Sequence, residues 1–218
     1  MTPALSDLID SGIAAQQTGN LDDALKYYQS ALVLAPEDAE VFSLLGLILT
    51  QLNRFEEAEP LLRDAVKREP DEIGFRMNLA ELLTRTSLFG DAKKELNKII
   101  SLHSNFEPAL EKLGDIALLQ NDKAQALEKY EKAFSTTSNN FNIGLKLAEL
   151  YILLREYDQA LNIIDLFAKQ NPDIPALLNL TCVIYIAKQD WLQLESKALS
   201  CDLPPITRPM LKLEFVFN

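Results

Sequence analysis

From Leu5 onward, apolar residues recur every three or four positions in short stretches, separated by polar breaks such as Gly19-Asn20 and Asn121-Asp122. Spacings of i, i+3, i+4 and i+7 place side chains on one face of an α-helix, so each stretch predicts an amphipathic helix and each break a turn. The pattern has a long period as well as a short one. Ala24, Ala58, Ala92, Ala126 and Ala160 are each 34 residues apart, and so are the small residues Gly12, Gly46, Ala80, Gly114, Ala148 and Cys182. Large apolar residues keep the same step at Leu45, Leu79, Leu113 and Leu147, as does the bulky series Tyr28, Leu62, Leu96, Tyr130 and Ile164. A third small series, Ala31, Ala65 and Ala133, is interrupted by Ile99 and Phe167. A fixed period of this length marks a stack of repeats, each too small to bury its own apolar face.

Within one period the helical spacings break once, so each unit reads as two antiparallel helices. The alternation of small and large residues has a packing reason. A Gly or Ala lets a neighbouring backbone come close, and the bulky residue of the next helix fills the groove beside it. Pro36, Pro70 and Pro172 fall after second helices, where proline halts a helix that has ended. Asp22, Asp23, Glu56, Glu57, Asp91 and Asp158 open second helices, where the helix dipole favours negative charge.

The stretches GNLDDALKYYQSALVLAPED and NRFEEAEPLLRDAVKREPD resemble the tetratricopeptide repeat in period and in small/large pattern. The resemblance implies an all-α, right-handed superhelical solenoid of five complete helix pairs, one degenerate pair and a C-terminal helical segment. The pairs are expected at residues 5–38, 39–72, 73–106, 107–140 and 141–174, with the degenerate one at 175–202, so the array covers 1–202. The sixth unit carries Trp191 after its turn but has Leu194 where alanine is expected, and it breaks at Leu203-Pro204-Pro205. In 203–218, Met210, Leu213 and Phe217 keep the phase of a further first helix. That segment is read either as a cap over the end of the stack or as the start of a further helix pair, in a chain that continues into another domain.

The overall net charge of −11 sets a poor prior for nucleic acid or an anionic lipid surface. Its distribution sharpens the picture: residues 1–72 hold 5 basic against 14 acidic groups, 73–140 hold 9 of each, and 141–218 hold 7 against 9. No basic start with an apolar core marks a signal peptide, and no run is long enough to span a membrane, so membrane insertion is not expected. Cys182 and Cys201 have neither a second pair nor a neighbouring histidine, which predicts reduced thiols and a cytoplasmic setting rather than a disulfide or a metal site.

In such solenoids the first helices line the concave side. The residues just after the small one on each first helix form a running row, Ile13, Leu47, Glu81, Asp115, Glu149 and Val183. Three successive carboxylates in that row point to a basic partner. The competing reading pairs Lys112 with Asp115 and Lys146 with Glu149 along the helix. Glu81, with Asn78 at the equivalent place, would then lack a partner. One turn further on, the row passes from Gln16, Thr50 and Thr84 to Leu118, Ile152 and Ile186, with Leu119 and Leu153 beside them. This apolar stretch is either an interaction surface or packing between helices. Some proteins of this family grip a terminal carboxylate with Lys, Asn and Arg, but Ile9, Ile13, Ser43, Leu47 and Met77 occupy the matching places here, so that mode is not carried over.

The sequence offers little to a reaction. Its one histidine, His103, sits in a polar linker, Cys182 falls on the packing series, and neither a phosphate loop nor a serine elbow is present. The expectation is a non-catalytic adaptor, scaffold or assembly factor, without cofactor or metal, that holds a basic or amphipathic polypeptide in the groove. The alternatives are the recognition array of a larger enzyme, such as the sulfotransferases or glycosyltransferases that carry similar arrays, and a scaffold that self-associates.

Overall fold

The computed structural model describes residues 4–136, 140–170, 174–190, 192–194 and 196. The segment 203–218, Trp191, Pro172 and Cys201 lie outside the described residues. The chain divides into two compact units, residues 1–136 and 137–218. The first holds α1 (Leu5–Gln17), α2 (Leu21–Leu34), α3 (Ala39–Gln51), α4 (Phe55–Arg68), α5 (Ile73–Arg85), α6 (Phe89–Leu102), α7 (Glu107–Leu119) and α8 (Lys123–Thr136). The second holds α9 (Phe141–Leu153), α10 (Tyr157–Ala168) and α11 (Pro175–Ala187). The fold is thus all-α among the described residues, with five antiparallel pairs followed by the first helix of a sixth.

Each turn within a pair is built the same way. Gly19, Asn53, Ser87, Asn121, Arg155 and Gln189 all have positive φ, between 57° and 78°, and they recur at the 34-residue step. The next residue donates its N–H five residues back, as from Arg54 to the Leu49 carbonyl at 2.9 Å and from Asp122 to the Ala117 carbonyl at 2.8 Å. This left-handed cap closes the first helix and turns the chain back along it. Asp22, Asp23, Glu56, Glu57, Asp91 and Asp158 stand in first turns of second helices, as the dipole argument requires.

The buried residues of the first unit form a core from the inner faces of its helices, including Ala24, Tyr28, Leu45, Ala58, Leu62, Leu79, Ala92 and Leu96. Ala24, Ala58, Ala92, Ala126 and Ala160 are all fully buried, and Tyr28 and Tyr130 lie across the small residues of the paired helix. A Cβ built on Gly12 would fall 2.8 Å from Tyr28 Cδ1, and one on Gly114 2.6 Å from Tyr130 Cδ1. Glycine is therefore required there by close approach, not by backbone freedom. Among the described residues Ser43, Thr50, Arg76 and Thr181 are the buried polar side chains; the charged one, Arg76 in α5, pairs with Glu95 and donates to the Pro70 carbonyl at 2.7 Å.

Candidate first-helix interaction face

In the first unit, side-chain bonds lace successive first helices together. Gln16 donates to Gln51 at 3.0 Å between α1 and α3, and Asn78 donates to the Ser43 hydroxyl at 2.9 Å between α5 and α3. Arg85 of α5 donates to the Thr50 carbonyl at 2.7 Å and to Asn53 Oδ1 at 2.8 Å, with its guanidinium over the Phe55 ring. Lys112 of α7 pairs with Glu81 of α5. Second helices contribute from behind: Tyr28 donates to Gln16 at 3.1 Å, and Tyr130 donates to Asp115. Burial pushes the Tyr28 hydroxyl above its ordinary pKa.

Against this lattice each sequence-derived candidate can be placed. Ile13, Leu47, Asn78, Glu81, Lys112 and Asp115 are half-buried, and Leu118 is 37% exposed beside Leu119 at 63%. The structure corrects the charge pairing. Lys112 reaches across to Glu81 instead of forward to Asp115, so Glu81 has the partner that its own helix does not supply. The reason is geometric: adjacent packed helices are about 8–10 Å apart, within reach of a lysine stem, and the Asp115 carboxylate already accepts from Tyr130. Ser43 and Thr50 are buried, so the polar character expected of the face at α3 is turned inward; Thr50 bonds back to the Gly46 carbonyl at 2.8 Å.

In the second unit Glu149 and Val183 are exposed, whereas Lys146, Ile152 and Ile186 are half-buried. Leu153, at the end of α9, is 56% exposed. Sequence reasoning missed the cross-helix pairs, because the neighbour of a first-helix residue lies 31 to 35 positions away. The signal was present as Lys112 standing 31 residues after Glu81.

The exposed ion pairs lie elsewhere. Arg54, bonded to Glu57, and Lys94, bonded to Asp91, hold those carboxyls below their ordinary pKa values, and both carboxylates stand in first turns of second helices. His103 is exposed and caps the C-terminus of α6, and Cys182 is half-buried. Among the described residues no group of three or more His, Cys, Asp or Glu side chains could hold a metal ion, and no helix is long and apolar enough to cross a membrane.

Comparison with known proteins accords with this architecture. Family models described as tetratricopeptide repeat match residues 9–73, 49–113 and 117–181. The chain is 28% identical over 165 residues to the human protein O-mannosyl-transferase TMTC3, covering 69% of this chain and 18% of that protein. It is 27% identical over 168 residues to the type IV pilus assembly protein PilF of Pseudomonas aeruginosa, covering 74% of this chain and 65% of that one. A solved structure of Pseudomonas aeruginosa PilF superposes with a TM-score of 0.74 at 23% identity, over 90% of this chain and 89% of that one. The chain therefore spans less than a fifth of the O-mannosyl-transferase and just under two thirds of the pilus protein. A solenoid of this kind is a general protein-binding scaffold, and with family models matching most of its length this chain belongs to the tetratricopeptide repeat family.

Proposed function

We propose that this protein is a non-catalytic adaptor, scaffold or assembly factor that holds a partner polypeptide in the groove formed by its first helices. The observation that carries the reading is the half-buried row Ile13, Leu47, Glu81 and Asp115, on helices already tied to one another by their own side chains. Such a face is preorganised, so little ordering cost falls on binding. Its mixture of apolar and acidic groups fits an amphipathic guest with basic residues. The likeness to a pilus assembly protein supports the assembly role.

The test is affinity capture from the native host, followed by titration of the captured partner against variants. Leu47→Asp is expected to weaken binding at least about tenfold, with helicity and melting near wild type. Glu81→Lys with Glu149→Lys should act more weakly and make the remaining affinity less salt-dependent. Wild-type affinity in all of these variants would remove the first-helix face from consideration.

A second reading is supported by the O-mannosyl-transferase match, which occupies 18% of that protein: the chain is the recognition array of a larger enzyme. The reading frame on either side of the sequence decides this. A transferase domain in frame would establish the second reading, and flanking stop codons would remove it.

A further inference from the structure

In the first unit Arg54, Arg63, Arg68 and Arg76 each lie within ion-pair distance of a carboxylate: Glu57, Glu59, Glu37 and Glu95 respectively. Arg85 differs. Acidic side chains outnumber basic ones in this unit, yet among the described residues the bonds of Arg85 go to neutral acceptors, the Thr50 carbonyl at 2.7 Å and Asn53 Oδ1 at 2.8 Å. A guanidinium offers five N–H donors, so three are left over on a side chain that is exposed. The register itself does not require arginine, because α1 and α3 place Gln17 and Gln51 there and α7 places Leu119.

The side chain is nonetheless held in place. Its two bonds tie it to the end of α3 and the turn that follows, and its guanidinium carbon stands 5.5 Å from the Phe55 ring centroid. Stacking of this kind fixes the plane of a guanidinium in a way that an ammonium does not share. The C-terminus of α3 contributes about half a negative charge, which holds the cation without neutralising it. Glu81, one turn back on the same helix, is taken up by Lys112 of α7. Helix α5 therefore draws its cation toward α3 and its anion toward α7, and the face carries a fixed order of charge across one helix.

We propose that Arg85 is a carboxylate subsite of the first-helix face, receiving an Asp or Glu side chain of the guest while the guest's basic residues lie on the Glu81 side. This rests on the groove reading above and adds a direction to it. A guanidinium whose plane is already set can meet a carboxylate with two N–H groups at little ordering cost. A guest laid the other way would set acid against Glu81 and base against Arg85, a like-charge arrangement at both places. Adjacent helices are about 8–10 Å apart and an extended chain advances about 3.3–3.6 Å per residue. The guest's acid and base are therefore expected about two to four residues apart.

Random peptides displayed on phage and selected against the full chain supply the probe, and counter-selection with Leu47→Asp keeps those that use the face. These are expected to share an Asp or Glu at that spacing from a Lys or Arg. Arg85→Gln should weaken the best of them about three- to tenfold, and it keeps the fold because glutamine is the residue of this register in α1 and α3. Replacing the peptide's acid by its amide should cost as much in wild type and little in Arg85→Gln. Arg85→Glu should cost at least about tenfold and be recovered by lysine at the peptide's acidic position, a rescue that a merely structural arginine does not give. Selected peptides without a recurring acid, or an acid whose removal costs as much in Arg85→Gln as in wild type, would overturn the subsite and leave the face standing. So would binding lost on amidating the peptide's C-terminus with the acid dispensable, since the carboxylate would then be a chain end. If no selected peptide is sensitive to Leu47→Asp, the face and the subsite fall together.

Discussion

Substituting alanine at Gly114 and at Gly46 should give different results, although the two glycines share one register. In each case alanine gains about 1 kcal/mol of helix propensity. In each case its Cβ also intrudes on a buried side chain, 2.6 Å from Tyr130 Cδ1 or 2.7 Å from Leu62 Cδ2. The partners differ in what they can yield. Leu62 is a flexible aliphatic chain, and one unit later the protein already places Ala80 with Leu96 at these registers, both fully buried. Tyr130 is a flat ring held at its far end by the bond to Asp115, so it can neither shorten nor swing aside. Overpacking of a filled core costs about 1–3 kcal/mol. Gly46→Ala is therefore expected within about 1 kcal/mol of wild type, and Gly114→Ala about 1–2 kcal/mol below it. Urea unfolding followed by circular dichroism measures both. Adding Tyr130→Leu to Gly114→Ala recreates the Ala80 and Leu96 combination, so the double-mutant cycle should show a favourable coupling of about 1 kcal/mol or more. If Gly114→Ala proves as stable as Gly46→Ala, or the coupling is absent, the close-approach account of the small series is wrong.

Three further outcomes follow from local geometry. Pro60 stands inside α4, where it has no N–H for the Glu56 carbonyl, so Pro60→Ala should raise stability by about 1–3 kcal/mol in the same assay. Ser87 holds φ at 61°, a conformation that costs a side chain about 1 kcal/mol; Ser87→Gly should stabilise by a few tenths to about 1 kcal/mol, after glycine's greater unfolded-state freedom is subtracted. Tyr28 is a group whose folded pKa is raised by burial, so its contribution is complete below the unfolded value near 10 and is lost as pH rises through the folded one. Melting temperature measured from pH 9 upward should thus fall more steeply in wild type than in Tyr28→Phe, and parallel curves would refute the linkage.

Elements that depend on neighbours along the chain were legible in the sequence, and those that depend on neighbours across helices were not. The five alanines of the second helices, the bulky residues opposite the small series and the acidic first turns all follow from helical periodicity repeated at one fixed step. The recurring left-handed turn residue was also there to be read at that step, but Asn, Ser, Arg and Gln conceal it, because composition announces the conformation only at Gly19. The Arg76 and Glu95 pair was less accessible still. Periodicity assigns position 76 to the core, and only the tertiary fold brings Glu95 of α6 and the Pro70 carbonyl to satisfy a buried guanidinium. The candidate face mixes both kinds: its row was found from spacing, its charge partners only from coordinates.

That mixture changes what the acidic row can contribute. Glu81 is held by Lys112 and Asp115 by Tyr130, so a basic guest on the proposed face does not meet bare carboxylates awaiting a cation. At Glu81 it must share or displace the Lys112 ammonium, and exchanging one half-exposed ion pair for another yields little net free energy; at Asp115 it competes with the Tyr130 hydroxyl. Charge on this face then governs the rate of encounter and the rejection of acidic sequences more than the strength of the final complex. Affinity has to come from apolar area taken out of water, at roughly 25 cal/mol per Å² before the costs of association are met. In the first unit that area is supplied by Leu47, half-buried, and by Leu118 and Leu119 at the end of α7. The expected order of effects, with Leu47→Asp more damaging than charge reversal, is a consequence of the lacing between first helices and not of the row's sequence.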